Sequence, residues 1–188
     1  MGCDIHTIVE IKIKDEWFGL IECPKEFKDR NYPLFAFLAK VRGNFNNKGF
    51  SPKGAPVDIS EKAQKELIDK WESDLHSVSF LTLQELEESD KSDYTAVKCK
   101  VPKSFYSEFL RLGGILPAGM EAERTKPDSI ITCIQEKIEP TMIVRWQPTK
   151  DETQKYPLFT GINELKEIAK KHNIKSSENI RIVFGFDN

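Results

Sequence analysis

Both ends of the chain are written as alternating strands. From Cys3 to Lys14, Ile5, Val9, Ile11 and Ile13 recur on one face, while Asp4, His6, Glu10, Lys12 and Lys14 occupy the other. From Asn179 to Asp187, Ile180, Ile182, Phe184 and Phe186 alternate with Arg181, Val183, Gly185 and Asp187. Successive side chains on a strand point to opposite faces, so each segment turns one apolar face to a core and one mixed face away from it. Each has one apolar face and both chain ends carry polar residues, and the first and last strands are expected to be neighbours in one sheet.

The residues between them supply hairpins and helices. Asp15-Glu16 makes a turn, Trp17 to Cys23 returns as a strand, and Pro24 ends it. At Arg30-Asn31-Tyr32-Pro33, Asn31 or Tyr32 caps and Pro33 opens a helix carrying Leu34, Phe35, Leu38 and Val41. Residues 43–58, rich in Gly, Asn and Pro, form the longest aperiodic stretch. Ser60 caps a helix running to about Trp71, a short apolar strand follows His76, and Thr82 with Glu85 forms a capping box. Further on, Val97 to Val101 reads as a strand and Lys103 to Leu112 as an amphipathic helix ended by Gly113-Gly114. Strands at Ser129 to Ile138 and Thr141 to Gln147 join across Glu139-Pro140, and a helix spans Ile162 to about His172. Hairpin-like pairs outnumber strand-helix-strand units. The expected class is therefore α+β, an antiparallel or mixed sheet with helices packed against it. At 188 residues the chain fits a single domain, 1–188.

Composition narrows the function classes. Hydrophobic residues make up 39% and charged residues 31%, and no apolar run approaches the roughly 20 residues of a membrane helix. The N-terminus lacks the basic start and apolar stretch of a secretory signal, and Thr7 stands one place beyond the hydroxyl position of a myristoylation motif. A net charge of −2 argues against broad nucleic-acid binding, which needs a basic face. Cys3, Cys23, Cys99 and Cys133 form no CxxC pair and read as reduced thiols, so a cytoplasmic location and no membrane partner are expected. Cys3 is read either as a small buried residue at a strand start or as a nucleophile.

Asp4 and His6, two apart on a strand, look out from one face about 7 Å apart and are the candidate catalytic pair. A carboxylate beside an imidazole orients it, raises its basicity, or shares a metal with it. A second Asp-x-His unit occurs at Asp74-Leu75-His76, and the two units with Asp187 would supply nitrogen and oxygen ligands for zinc, manganese or iron. A solvated strand, a metal site of unknown ion and metal-free acid-base chemistry all fit this spacing. Paired His-x-Thr/Ser units of a two-histidine phosphoesterase are not met, since the hydroxyl residues Thr7 and Ser77 follow the histidines directly. No Gly-x-Ser-x-Gly elbow or His-Glu-x-x-His motif occurs. The loop Gly43 to Gly49 lacks the Gly-Lys-Ser/Thr ending of a phosphate loop, yet Arg30, Arg42, Lys48 and Lys53 flank the Pro33 helix, and helix starts with arginines make phosphate sites. Tyr32, Phe45 and Phe50 are placed either to stack on a base or to pack the loop.

The opening Met1-Gly2-Cys3-Asp4-Ile5-His6, the Arg30-Asn31-Tyr32 before Leu34-Phe35-Ala36, and the ending Arg181 to Asn188 carry a resemblance. Together they resemble a family of bacteriophage- and prophage-encoded proteins of uncharacterised activity. The resemblance covers both ends and about residues 30–82, leaving a variable, insertion-like region at about 83–178. Family members carry Arg-Gly-Leu-Pro where this chain has Lys53-Gly54-Ala55-Pro56, which keeps a cation, and an Asp-x-Ser matched by Asp58-Ile59-Ser60. They carry His-Ser-His-Ser where this chain reads His76-Ser77-Val78-Ser79, so the second histidine is missing. The resemblance implies a phage context and a set of polar residues rather than a reaction.

The expected function is a phage-type accessory protein acting in the host cytoplasm. It would bind a small polar ligand, a nucleotide or other phosphorylated molecule, as in a counter-defence sponge. Asp4, His6, Arg30, Asn31, Tyr32, Lys53, His76, Arg181 and Asp187 are the expected site residues, and no cofactor is specified. A hydrolase of a phosphorylated substrate using Asp4 and His6 is the alternative. A module that binds a host protein without a pocket is the third.

Overall fold

A computed structural model of the chain describes residues 2–42, 49–91, 97–102, 107–108, 110–112, 131–132, 141–146 and 156–187. Residues 1–90 with 155–188 form one compact unit, and residues 91–154 form a second. The expected insertion-like region, about 83–178, contains the whole of the second unit together with α-helical segments of the first.

In the first unit, β1 (Asp4–Ile13) and β2 (Glu16–Gly19) form a hairpin. Lys14 and Asp15, at φ 49° and 68°, make its two-residue turn, one position earlier than the expected Asp15-Glu16. Two left-handed residues in that position match the twist of the flanking strands. β2 also stops at Gly19, short of the expected Cys23, after Leu20 N–H donates to the Val9 carbonyl. The buried helix α1 (Tyr32–Ala39) follows, its first turn capped by Asn31 Oδ1, which accepts from Leu34 N–H at 3.1 Å. Leu34 to Ala39 are all buried, so α1 is covered all round instead of on one stripe.

The helix α2 starts at Glu61–Ala63 with Ser60 as its cap and widens into a π turn over Gln64–Asp69. Next come β3 (His76–Thr82) and α3 (Leu83–Glu88), joined by the expected capping box of Thr82 and Glu85. In the second unit, β4 (Val97–Pro102) pairs parallel with β5 (Ile131–Thr132) and antiparallel with β6 (Thr141–Trp146). Of the helix expected at 103–112, residues 107, 108, 110 and 111 are helical and 112 is in a turn; residues 103–106, 109, 113–114, 129–130 and 133–140 lie outside the described residues. Back in the first unit, α4 (Pro157–Lys171) begins five residues before the expected Ile162, opened by Pro157, and β7 (Ile180–Asp187) closes the chain.

The main sheet has the order β2-β1-β7-β3 and is antiparallel throughout. As expected from their apolar faces and the polar residues at both ends, the first and last strands are neighbours, in a register running from Asp4 opposite Asp187 to Ile11 opposite Ile180. Helices cover both faces, which makes the unit an α+β layered fold. On one face α1 sends Phe35 edge-on to Phe186 at 5.0 Å, and Phe27 fits under Gly161 of α4. On the other, Leu75 and α2 press on the polar side of β1 and β7. Arg181, Val183 and Gly185 are consequently buried too, against the expectation of one solvated face. Among the described residues no helix is long and apolar enough to cross a membrane.

Candidate functional site

The polar face shared by β1 and β7 carries two clusters of charge. Nearer the hairpin, Glu10 stands directly opposite Arg181. Glu10 Oε2 accepts from Arg181 Nε at 2.6 Å, and its Oε1 accepts the Ser60 N–H at 2.8 Å. Arg181 also donates to the Asp58 carboxylate (2.8 Å) and carbonyl (3.0 Å), while the Trp17 ring lies 3.8 Å from the guanidinium carbon. The Arg181 and Glu10 side chains are 3% and 0% exposed, so this pair is a closed, fully bonded lock. Burial pushes the Asp58 carboxyl up, but hydrogen bonds from Arg181 and Trp17 and the Arg181 charge outweigh it and hold the group below its ordinary value. The structure therefore gives Arg181, expected among the ligand-binding residues, a partner inside the fold.

At the free ends of the same strands lies the second cluster. His6 Nε2 meets Asp187 Oδ2 at 3.1 Å, and Asp187 Oδ1 accepts the Asp4 N–H at 3.0 Å. A carboxylate only accepts, so Nε2 carries the proton and the other imidazole nitrogen is the basic one. Trp71, just past α2, stacks on the imidazole with centroids 3.9 Å apart. Opposite His6 is Gly185, where an added Cβ would fall 2.6 Å from Leu75; only a residue without a side chain lets Leu75 seat there. His6 and Asp187 keep 25% and 22% of their side-chain surface open.

Asp4 does not work with His6 in the way the spacing predicts. Both its oxygens accept from Arg30, Nε and Nη2 each at 2.8 Å. Those hydrogen bonds hold the Asp4 carboxyl below its ordinary value; loss of hydration acts the other way and is outweighed. The carboxylate that orients His6 is Asp187, and Asp4 instead anchors Arg30 at the rim.

An open depression of about 500 Å³ lies along the first half of β1, bounded by Lys28, Glu66, Lys70 and Trp71. Its charges do not balance. Asp4 is engaged by Arg30, and Glu66 by Lys62 at 2.6 Å. Among the described residues Lys28 has no ion pair, and the ammonium of Lys70 has only the Trp71 ring, 5.7 Å from its centroid. The depression is thus basic beside an oriented imidazole.

The other expected residues fall elsewhere. Asn31 spends its side-chain oxygen on the α1 cap, and Tyr32 is exposed, edge-on to Phe35 at 5.7 Å. Lys53 pairs with Glu85 and lies over the Phe80 ring at 4.7 Å. His76 stands opposite Phe186 and so projects from the face opposite to His6, with Nδ1 3.0 Å from Ser77 Oγ and a buried Nε2 that has no hydrogen-bond partner among the described residues. The two Asp-x-His units are therefore not combined, and among the described residues no three or more metal-ligating side chains gather. Burial pushes the Cys3 thiol up, the behaviour of a small core residue, and pushes Cys23 up to about 12. Residues 43–48, with Lys48 and Phe45 of the expected anion loop, lie outside the described residues. Lys28, Lys70 and Trp71 escaped the sequence reading; the one signal was a Lys-Trp pair just ahead of Asp74-Leu75-His76.

Comparison of the chain with protein-family models, with curated proteins and with solved structures found no match.

Proposed function

We propose that the depression beside His6 binds a small phosphorylated ligand, with a nucleotide as the favoured class. The observation that carries the reading is the charge imbalance: Lys28 and Lys70 face a depression whose own carboxylates, Asp4 and Glu66, are already engaged. Two ammonium groups attract phosphate oxygens, the unprotonated nitrogen of His6 accepts from a hydroxyl of the ligand such as that of a ribose, and the indole of Trp71 gives a planar wall for a base. In the phage context implied by the sequence resemblance, the proposal extends to sequestration of a signalling nucleotide.

Calorimetric titration of the full chain with ADP and with inorganic phosphate tests it. ADP binding should weaken by about tenfold or more in each of Lys28→Ala and Lys70→Ala, since a charge-assisted hydrogen bond is worth roughly 1.5–3 kcal/mol. Stability should stay within about 0.5 kcal/mol of the parent, as for other exposed changes. Absence of binding, or binding that ignores both substitutions, refutes the proposal.

The Asp187–His6 pair favours a second reading, hydrolysis of the bound ligand. His6 would take a proton from the attacking water while Asp187 holds the ring and its tautomer. Phosphate release from ATP that is abolished in His6→Gln, with ATP still bound, would favour this reading over binding alone.

A further inference from the structure

The edges of the main sheet are treated differently. At β3 the chain closes its own edge: Gly54 N–H donates to the Val78 carbonyl at 2.9 Å, Lys53 N–H donates to Ser79 Oγ at 3.1 Å, and a bulge interrupts the strand between His76 and Ser79. The outer side of the first half of β1 is crossed by the turn at Lys25–Phe27, whose Phe27 carbonyl accepts from Thr7 Oγ1 at 2.7 Å. β2 has no such cover among the described residues. Because Leu20 N–H donates to Val9, the residues of β2 that bond to β1 are Glu16 and Phe18, and the N–H and C=O groups of Trp17 and Gly19 point away from the sheet. None of these outward groups has a main-chain partner among the described residues.

A groove of about 530 Å³ runs beside this edge, with β2 as one wall and Asp58–Lys62 as the other. Its charge is the reverse of the His6 depression. Lys62 is spent on Glu66 and Asp58 on Arg181, whereas Glu16 and Glu61 have no ion pair among the described residues, and Asp15 has only Lys12 at 3.8 Å. Phe18, on the same strand, is 45% exposed, and neighbouring Ile13 is 46% exposed.

We propose that the open edge of β2 and its groove dock an extended basic peptide segment of another protein, which adds as a further strand of the sheet. Strand addition takes its affinity from main-chain hydrogen bonds and its choice of partner from side chains on alternate positions. Here Trp17 and Gly19 supply the main-chain groups, Phe18 meets an apolar residue on its own face of the sheet, and Glu61, on the Trp17 face, selects lysine or arginine at the alternate positions, with Glu16 adding negative charge at the end of the strand. A second copy of β2 is disfavoured, because it would bring the same carboxylates face to face.

The test is fluorescence anisotropy with the full chain and a fluorescein-labelled Lys-Leu-Lys-Val-Lys-Leu peptide, measured at low salt. Three comparison measurements are made: the same peptide N-methylated at alternate amides, a peptide with Glu in place of Lys, and a protein carrying Glu16→Lys and Glu61→Lys. The basic peptide should bind, N-methylation and charge reversal of the protein should each weaken binding by about tenfold or more, and the acidic peptide should not bind. Lys28→Ala should leave peptide binding unchanged. No binding of the basic peptide, or equal binding of its N-methylated form, would overturn the proposal, and the N-methylated arm needs no protein variant to fold.

Discussion

The two clusters on the polar face of β1 and β7 use one plan with opposite outcomes. Each joins the strands through an ion pair or hydrogen bond, and each lays an indole on the nitrogen-bearing group, Trp17 on Arg181 and Trp71 on His6. Nearer the hairpin, α2 and Asp58 seal the pair completely, so every polar atom bonds within the fold and nothing remains for a ligand. At the strand ends the cover stops at Leu75 and Trp71, and the imidazole stays partly open on a depression that Lys28 and Lys70 also line. The difference teaches that charge on a strand face marks a site only where the layer above it ends.

Breaking the closed cluster should cost most. Arg181→Leu leaves Glu10 buried without its partner and should destabilise by about 3–5 kcal/mol in urea unfolding, whereas Glu10→Leu combined with Arg181→Leu should recover much of the loss. A double variant as damaged as the single one would mean that the pair contributes net stability beyond mutual neutralisation. Next comes Gly185→Ala, which drives Leu75 off the strand and should cost about 1–3 kcal/mol by overpacking. Asn31→Ala removes the α1 cap and should cost about 1 kcal/mol without changing ADP affinity, which separates the cap from the ligand site.

The smallest effect concerns pH. The folded Asp4 carboxyl titrates below its ordinary 3.8, so its contribution to stability is complete above that value and is lost as pH falls through the lower folded one. Urea midpoints compared at about pH 6 and about pH 3 should therefore fall slightly less in Asp4→Asn than in the parent. An identical fall would mean that Arg30 does not hold Asp4 in solution.

Much of this was readable beforehand, for local reasons. Period-two alternation placed β1 and β7, and Asn31, Ser60 and the Thr82–Glu85 box announced helix starts because capping is encoded within a few residues. Asp4, His6 and Asp187 were legible because they share one face at the paired strand ends. His76 was not. An uninterrupted register from Phe80 opposite Val183 would set it opposite Asp187, on the His6 side, but the extra residue of the bulge, with Ser77 at φ 52°, sets it opposite Phe186 and turns it to the other face. Lys70 and Trp71 were hidden for a similar reason, since the π turn of α2 shifts the phase of everything after it. Arg181 misled because its partners, Glu10 and Asp58, come from distant segments that only folding brings together.

The central claim, that the open cluster is a ligand site and the closed one a scaffold, meets its most direct test in His6→Gln. Calorimetric titration with ADP and urea unfolding are run on the same preparation of this variant. The structure predicts affinity lower by about tenfold or more with stability within about 1 kcal/mol of the parent. Unchanged affinity with a loss of about 3 kcal/mol or more would contradict it and make His6–Asp187 a second structural lock.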